Sequence, residues 1–343
     1  MSALQDEMKR VKERVDRVIL DELLPNASPI KEVDLLYKMM RDYPGRPAKG
    51  MRPFLCVVAC KAAGGREDDA ILTAACVELF QNWILIHDDI EDGSELRRGS
   101  PALHRTYGDA LALNAGDALH ARTWEALLQN RERLGLPKTF AILKEFSKMV
   151  DETTEGQHME LGWVVHKRWN LTEKDYYEMC ARKTSWYTVA SPCRLGAIVA
   201  GAKPGVLDGL KEFGVNLGVA FQIQDDSLNL VGDQKKYGKA KSDDILEGKR
   251  TLMLLRLLAV ASQSERDRVV AIMNKDRSKK TDEDVSFVLA MMDRHDAIGY
   301  ARKRAAELLK EALGTLKKIE FRGDRESKAI LAAFAKFAVE REW

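Results

Sequence analysis

The amino-acid sequence predicts an all-α fold, in which long apolar helices form a bundle around a central cavity. Two observations lead to this prediction. Apolar residues recur at spacings of three and four along nearly the whole chain, and alternating strand patterns with hairpin turns are essentially absent. No linker composition and no repeat of fixed period interrupts the pattern. We therefore expect a single domain over residues 1–343.

The helical pattern starts close to the N-terminus. The first helix carries Val11, Val15 and Val18 on one face and ends at Leu24-Pro25-Asn26. Further helices are predicted at residues 51–63, 67–92, 114–130, 137–161, 173–201, 206–230, 243–261, 265–274, 282–292, 296–319 and 325–339.

Composition excludes several classes of protein. Hydrophobic residues make up 45% of the chain, and the formal net charge is only +2, so no nucleic-acid partner is expected. The five cysteines form no Cys-x-x-Cys pair, which predicts buried thiols in a reducing cytoplasm. The charged N-terminus lacks a signal-peptide core, and no segment offers enough uninterrupted apolar residues to span a bilayer. We therefore expect a soluble cytoplasmic protein.

Two acidic clusters end otherwise apolar helices. Asp88-Asp89-Ile90-Glu91-Asp92 follows Trp83-Ile84-Leu85-Ile86, and Asp225-Asp226-Ser227-Leu228-Asn229 follows a second apolar stretch. Asp88 and Asp92 are four residues apart, so their carboxylates share a helix face and repel each other unless a cation bridges them. Mg²⁺ takes few carboxylates and fills its other positions with water and phosphate oxygens. The pattern predicts Mg²⁺ and a phosphate-bearing substrate rather than two solvated helix ends.

Basic residues stand at positions suited to phosphate. Lys49-Gly50-Met51-Arg52-Pro53 opens a helix, where free N–H groups and the helix dipole favour an anion. Leu96-Arg97-Arg98-Gly99 follows the first acidic cluster in a loop, and arginine offers planar, two-pronged donors to phosphate oxygens. Lys183-Thr184, Gly238-Lys239 and Gly248-Lys249 are weak signals alone and gain weight beside two acidic clusters.

Together these motifs resemble the trans-isoprenyl diphosphate synthase family, the polyprenyl synthases that include farnesyl and geranylgeranyl diphosphate synthases. The matching stretches, in family order, are Lys49 to Pro53, Leu85 to Asp92, Leu96 to Gly99, Gly156-Gln157, Lys183-Thr184, Phe221 to Asp226 and Gly238-Lys239. The resemblance implies the isoprenoid synthase fold, a homodimer, and Mg²⁺-dependent condensation of isopentenyl diphosphate with an allylic diphosphate. There are three departures from the family pattern. Pro47-Ala48 precedes Lys49 where a glycine pair is common, and Glu160 and Asn229 stand where the family commonly has aspartate.

The resemblance also implies a role for each matching residue. Three Mg²⁺ ions would be bound from one wall by Asp88 and Asp92 and from the other by Asp225. The residues implied for the allylic diphosphate are Arg97, Lys183, Lys239 and Lys249. Those implied for isopentenyl diphosphate are Lys49, Arg52, Gln81 and Arg98. Thr184 and Gln222 would place oxygens near the developing allylic cation, so that catalysis would depend on Arg97, Lys183, Thr184 and Gln222.

The helix that ends in Asp88 also offers a ruler for product length. The growing tail is expected to run back along this helix, so that Trp83 and Ile84, one turn back, and Phe80, two turns back, line or close the pocket. A helical turn rises about 5.4 Å, which is roughly the room for one isoprene unit. A tryptophan at position 83 favours C15 to C20 products, unless Trp83 packs outward between helices and gates nothing.

Three alternatives stay open at this point. A class I terpene cyclase shares the fold and the first acidic cluster, but it binds no second diphosphate and has no need of Lys49, Arg52 and Arg98. A longer-chain polyprenyl diphosphate synthase would share every motif. A non-catalytic subunit of a heteromeric synthase usually lacks the aspartates that are present here.

Overall fold

A computed structural model of the chain describes residues 3–231 and 242–340. Helix accounts for 82% and strand for 1%, which confirms the predicted all-α class. The elements of the first half are α1 (Ala3–Arg17), a π-helix (Val18–Leu23), α2 (Lys31–Gly45), α3 (Met51–Ala62), α4 (Glu67–Asp92), β1 (Leu96–Arg97), β2 (Ser100–Pro101), α5 (Leu103–Tyr107), α6 (Asp109–Leu128), α7 (Asn130–Leu134) and α8 (Leu136–Val165).

The second half continues the helical pattern. Its elements are α9 (Glu173–Cys180), a second π-helix (Ala181–Ala190), α10 (Ser191–Val199), α11 (Pro204–Val231), α12 (Asp243–Glu247), α13 (Leu252–Val260), α14 (Gln263–Met273), a 3₁₀ turn (Arg277–Lys279), α15 (Asp282–Arg294), α16 (Ala297–Lys318) and α17 (Arg325–Glu340).

Most predicted helices are confirmed within a few residues, and α4 has the predicted bounds. The short helices α5 and α7 were not predicted, and neither was the longer helix α2. Its buried face is formed by Met39, Met40 and Tyr43, which recur at spacings of three and four. That spacing is present in the sequence and could have identified the helix.

The predicted first helix is divided into α1 and the first π-helix, and two later predicted helices are divided as well. The one expected at residues 173–201 is interrupted by the second π-helix, which carries Lys183 and Thr184; short π-helical segments occur frequently at functional sites. The one expected at residues 243–261 breaks at Gly248, whose φ of +77° suits glycine. Lys249 lies in this break.

The predicted loop after the first acidic cluster is a small β-hairpin. β1 and β2 pair antiparallel with Arg97 opposite Ser100. The two turn residues, Arg98 and Gly99, both have positive φ, at 51° and 79°. A two-residue turn of this kind matches the twist of the strands it joins. The hairpin makes Arg97 and Arg98 part of an ordered turn, which the sequence pattern did not predict.

One helix in the described part of the chain is long and apolar enough to cross a membrane by length and composition alone. This helix is α4, and 72% of its most apolar 18-residue stretch is buried inside the protein. This degree of burial is typical of a helix in the core of a protein. The five cysteines are buried free thiols, as predicted.

The chain divides into two compact units. The first comprises residues 1–149, 187–214 and 315–334, and the second comprises residues 150–186, 215–314 and 335–343. In the first unit α4 packs against α3 and α6. In the second, α13 packs against α9, α14 and α15. The single domain expected over the whole chain stays a prediction.

Candidate active site

The C-terminal end of α4 concentrates negative charge. Asp88 and Asp92 are half-buried there and Asp89 is fully buried, while the sequence places no basic residue in the last turn. A helix C-terminus carries a partial negative charge of its own, so carboxylates are least favourable at this end. Gly93, with a φ of +62°, ends the helix in the left-handed conformation. This end of the helix is therefore electrostatically suited to a cation.

Asp89 differs from Asp88 and Asp92 because it forms the main ion pair with Arg97. The Nε of Arg97 donates to the two carboxylate oxygens of Asp89 at 2.9 and 3.0 Å, and its Nη2 lies 3.2 Å from Oδ2 of Asp88. The Tyr43 hydroxyl also donates to Asp89, and it accepts from the Leu103 N–H at 3.2 Å. Arg97 is only 8% exposed. Asp89 and Tyr43 therefore fix the predicted diphosphate-binding arginine beside Asp88.

Replacing Tyr43 by phenylalanine is expected to lower the free energy of unfolding by about 1–3 kcal/mol, because the buried Leu103 N–H loses its acceptor and Asp89 Oδ2 loses one of its two donors. Turnover should fall as well, since Arg97 is less firmly held. Urea denaturation and steady-state assays measure the two effects. Tyr37→Phe on the same helix is the control, and equal stability of the two variants would contradict the role of Tyr43.

A second cationic group surrounds Glu78. Arg98 Nη1 donates to the Tyr43 carbonyl at 2.7 Å and to Asn82 Oδ1 at 3.2 Å, and Arg98 Nη2 lies 3.9 Å from Glu78. Burial raises the pKa of Glu78, while the positive charges of Arg98 and Arg52 oppose that rise. Burial also lowers the pKa of Arg98. A single carboxylate thus faces two guanidinium groups, which leaves net positive charge to attract an anion.

Arg52 is well placed to bind that anion. It is 6% exposed, donates from Nη2 to Thr188 Oγ1 at 3.0 Å, and lies 4.4 Å from the centre of the Tyr187 ring. Its Nε has no hydrogen-bond partner among the described residues. A buried donor without a partner is costly in a folded protein. An incoming phosphate oxygen is a suitable acceptor for it.

The other two residues predicted to bind isopentenyl diphosphate lie in the same unit. Lys49 is exposed and precedes α3. The N-cap of this helix is Gly50, which has no side chain to cap the first N–H groups. Gln81 is half-buried on α4, next to Asn82. The first unit therefore contains all four of these residues. Their neighbours Glu78 and Asn82 were not predicted from the sequence.

The residues predicted to set product length line the interior of the first unit. Phe80 is fully buried, Trp83 is 6% exposed and Ile84 is half-buried. Trp83 lies against α6, where α4 and α6 come close together because Gly116 has no side chain to meet His87. Trp83 therefore packs inside the unit between two helices, and its role as a ruler stays a prediction.

In the second unit, Thr184 and Gln222 belong to one hydrogen-bond network. Thr184 Oγ1 donates to Gln222 Oε1 at 2.7 Å, and Gln222 Nε2 donates to Asp226 at 2.6 Å. The Tyr176 hydroxyl donates to the other oxygen of Asp226 at 2.8 Å. Burial raises the pKa of Asp226 to about 6. Asp226 thus orients Gln222, while the neighbouring Asp225, the predicted metal ligand, is half-buried.

Two further predicted cations of the second unit, Lys183 and Lys249, have carboxylate partners. Lys183 pairs with Glu160, and Lys249 lies 2.7 Å from Glu247. Gly156 accounts for the position of Lys183, because a Cβ at residue 156 would collide with the backbone of residue 183. Lys239 lies outside the described residues.

Asn229 has a structural partner. Its amide oxygen accepts from the Asp244 N–H at 3.2 Å, and its carbonyl accepts from the Ser242 N–H at 2.9 Å. These bonds attach the start of α12 to α11. Asn229, which stands where an aspartate was expected to be common, therefore uses its side-chain oxygen within the fold.

Carboxylate oxygens are the donors that the described residues offer to a metal ion. Within residues 3–231 and 242–340, no group of three or more His, Cys, Asp or Glu side chains is arranged to hold one alone. Mg²⁺ usually takes one or two carboxylates and completes its octahedron with water and phosphate oxygens. Asp88 and Asp92 at the end of α4 fit that requirement.

Known proteins resemble this chain over most of its length. Residues 33–292 match the polyprenyl synthetase family model. A short chain isoprenyl diphosphate synthase of Methanothermobacter thermautotrophicus is 35% identical over 294 residues, which cover 86% of each chain. The geranylgeranyl pyrophosphate synthetase structure from Pyrococcus horikoshii has a TM-score of 0.86 at 32% identity, covering 99% of this chain and 100% of that chain. The geranylgeranyl pyrophosphate synthase of Corynebacterium glutamicum, complexed with isoprenyl diphosphate and magnesium, has a TM-score of 0.89 at 26% identity over the same shares.

Proposed function

The chain belongs to the polyprenyl synthetase family, and we propose that it condenses isopentenyl diphosphate with an allylic diphosphate to give farnesyl or geranylgeranyl diphosphate. The supporting observation is that the first unit has two separate cationic groups. One is Arg97 beside the acidic end of α4, and the other is Arg52 with Arg98 around Glu78. A reaction between two diphosphates needs both, whereas a terpene cyclase binds only one.

Mg²⁺ is the proposed cofactor, with three ions. Asp88, Asp92 and Asp225 are the proposed ligands. Magnesium in the related structure from Corynebacterium glutamicum supports a divalent cation. When bound, the metal stabilises the negative charge that builds on the departing diphosphate.

The protein's own side chains bind the two substrates, orient them and exclude water from the reacting atoms. Arg97, Lys183, Lys239 and Lys249 are the proposed donors to the allylic diphosphate, and Lys49, Arg52, Gln81 and Arg98 bind that of isopentenyl diphosphate. Thr184 and Gln222 turn hydroxyl and amide oxygens toward the allylic cation. The buried rings of Phe80 and Trp83 keep the tail dry, which protects the cation from water. The released diphosphate accepts the proton that the condensed product loses.

Incubation with isopentenyl diphosphate and Mg²⁺ tests this function. Dimethylallyl, geranyl and farnesyl diphosphate are supplied in separate reactions, and the products are dephosphorylated and sized by chromatography. We expect isopentenyl diphosphate to be consumed and C15 or C20 alcohols to appear. Cyclic hydrocarbons without such consumption would identify a cyclase, and longer alcohols would identify a longer-chain synthase.

Replacing Trp83 by alanine is expected to lengthen the product. The substitution removes a large buried ring one turn from Asp88, and a helical turn is roughly one isoprene unit of depth, about 5.4 Å. Chromatography of the dephosphorylated products measures the change. Phe334→Ala, which removes another buried ring of the first unit, is the control and should leave the distribution unchanged. An unchanged distribution for Trp83→Ala would contradict the ruler.

We further propose that the protein is a cytoplasmic homodimer. The family resemblance supports the dimer, and the buried, unpaired thiols are compatible with a reducing compartment. Light scattering after size-exclusion chromatography should give twice the chain mass of 38.6 kDa.

A further inference from the structure

Five aromatic side chains of the first unit form a closed circuit, here called the aromatic circuit. Its members are Phe80 and Trp83 of α4, His120 and Trp124 of α6, and Phe146 of α8. Ring centroids are 5.2 Å apart between Phe80 and Trp83, and 3.9 Å between Trp83 and His120. The circuit closes through Trp124 to Phe146 at 5.3 Å and Phe146 to Phe80 at 5.7 Å. The proposed length-setting tryptophan is thus one member of a larger assembly.

Packing alone holds Trp83 within this circuit. Its indole Nε1 is buried and has no hydrogen-bond partner among the described residues. Phe80 meets the indole edge-on, with an angle of 88° between the rings. His120 instead lies nearly parallel to it, at 12°. The imidazole of His120 is therefore the flat surface against which the indole rests.

His120 is itself held in place by a hydrogen bond. Trp124 Nε1 donates to His120 Nε2 at 2.7 Å, so that Nε2 acts as the acceptor and the neutral ring carries its proton on Nδ1. Trp124 in turn packs against Phe146, which is fully buried. His120 therefore connects Trp83, which lacks a polar anchor, to a fixed part of the core.

We propose that His120 helps to set product length by positioning Trp83 across the path of the isoprenoid tail. The proposal rests on the proposed function. Trp83 lies five residues before Asp88, about 7.5 Å along the helix, where a growing tail would reach it. Loss of the imidazole leaves space beside the indole, which can then turn toward α6 and open the path. His120 is a positioning residue, because it acts through Trp83.

The test compares four variants of the full chain with the parent. His120→Ala removes the ring, His120→Phe keeps a ring able to stack, Trp83→Ala removes the proposed stop, and the fourth combines His120→Ala with Trp83→Ala. Each is assayed with isopentenyl diphosphate, Mg²⁺ and geranyl diphosphate, and both the initial rate of the first condensation and the product lengths are recorded.

The expected result for His120→Ala is a main product longer by one isoprene unit, with the initial rate of the first condensation close to that of the parent. His120→Phe should retain the parent's product. The double variant should match Trp83→Ala alone, because both substitutions act on one obstacle and their effects are not additive. General damage to the fold would lower the initial rate in place of this selective change in length.

Two outcomes would overturn the proposal: an unchanged product from His120→Ala at a normal rate, or additive lengthening in the double variant. If circular dichroism shows that His120→Ala does not fold, Trp124→Phe takes its place, since it removes the indole N–H that donates to His120 and keeps an aromatic ring beside Phe146. A larger share of longer product then supports the proposal, and an unchanged share contradicts it. A parent that consumes no isopentenyl diphosphate contradicts the proposed function instead.

Discussion

Replacing Asp88 by alanine is expected to lower turnover about a thousandfold, if the lost metal ligand removes about 4 kcal/mol of transition-state stabilisation. The carboxylate is half-buried at the end of α4, and its Oδ2 lies 3.2 Å from Nη2 of Arg97. Its removal takes away a proposed Mg²⁺ ligand next to an arginine that is proposed to bind the same diphosphate. Steady-state consumption of isopentenyl diphosphate, measured over a range of Mg²⁺ concentrations, gives the size of the loss.

Glu91→Ala is the matched control for this loss. Glu91 is exposed in the same turn of α4, so its substitution removes the same charge from the same helix end. We expect near-normal turnover for Glu91→Ala, and circular dichroism should show that both variants keep their helix content. Near-normal turnover of Asp88→Ala, with an unchanged dependence on Mg²⁺, would contradict the metal assignment.

Replacing Arg52 by glutamine is expected to raise the KM for isopentenyl diphosphate about ten- to a hundredfold, because hydrogen bonds to charged groups contribute about 1.5–3 kcal/mol. Arg52 is 6% exposed, and its Nε has no partner among the described residues. Glutamine retains hydrogen-bonding capacity but removes the positive charge that faces Glu78. The KM for the allylic substrate should change little, since Arg97 belongs to the other cationic group.

Initial rates measured while each substrate is varied in turn separate these two constants. Arg41→Gln is the control, because Arg41 is a half-buried arginine of the same unit that donates to the backbone carbonyls of Leu20 and Leu24. It should leave both KM values near those of the parent. An equal rise in the two KM values of Arg52→Gln would show that Arg52 does not distinguish the substrates.

The helices that hold the first acidic cluster were predictable, because their signal is local. The bounds of α4 follow from a long apolar stretch that ends in aspartates and Gly93. Two carboxylates with adjacent numbers nevertheless contact Arg97 to different extents. Asp88 and Asp89 are about 100° apart around the helix axis. The sequence does not reveal that Arg97 donates mainly to Asp89 and reaches Asp88 only through Nη2, at 3.2 Å. That assignment required the fold of the hairpin and the position of Tyr43.

The other neighbours of the site depend on contacts between distant segments. Tyr43 reaches Asp89 across 46 positions of the chain, and Arg52 reaches Thr188 across 136. His120 was missed for the same reason, because one half-buried histidine on an amphipathic helix gives no sign that it stacks on Trp83. Periodicity predicts which face of a helix is buried, and it does not identify the residue that packs there.

The acidic end of α4 also means that residues proposed to be needed for activity lower the stability of the folded protein. Each carboxylate at a helix C-terminus disfavours the folded state by about 0.3–1 kcal/mol, and α4 carries four of them, Asp88, Asp89, Glu91 and Asp92, in its last turn and a half. Neutral or basic residues at Asp88 and Asp92 would therefore make a more stable helix. Directed evolution that selects only for thermostability is expected to accumulate such changes and to yield a thermostable protein without catalytic activity. The natural sequence is thus a compromise, in which part of the conformational stability is given up so that a cation has a place to bind.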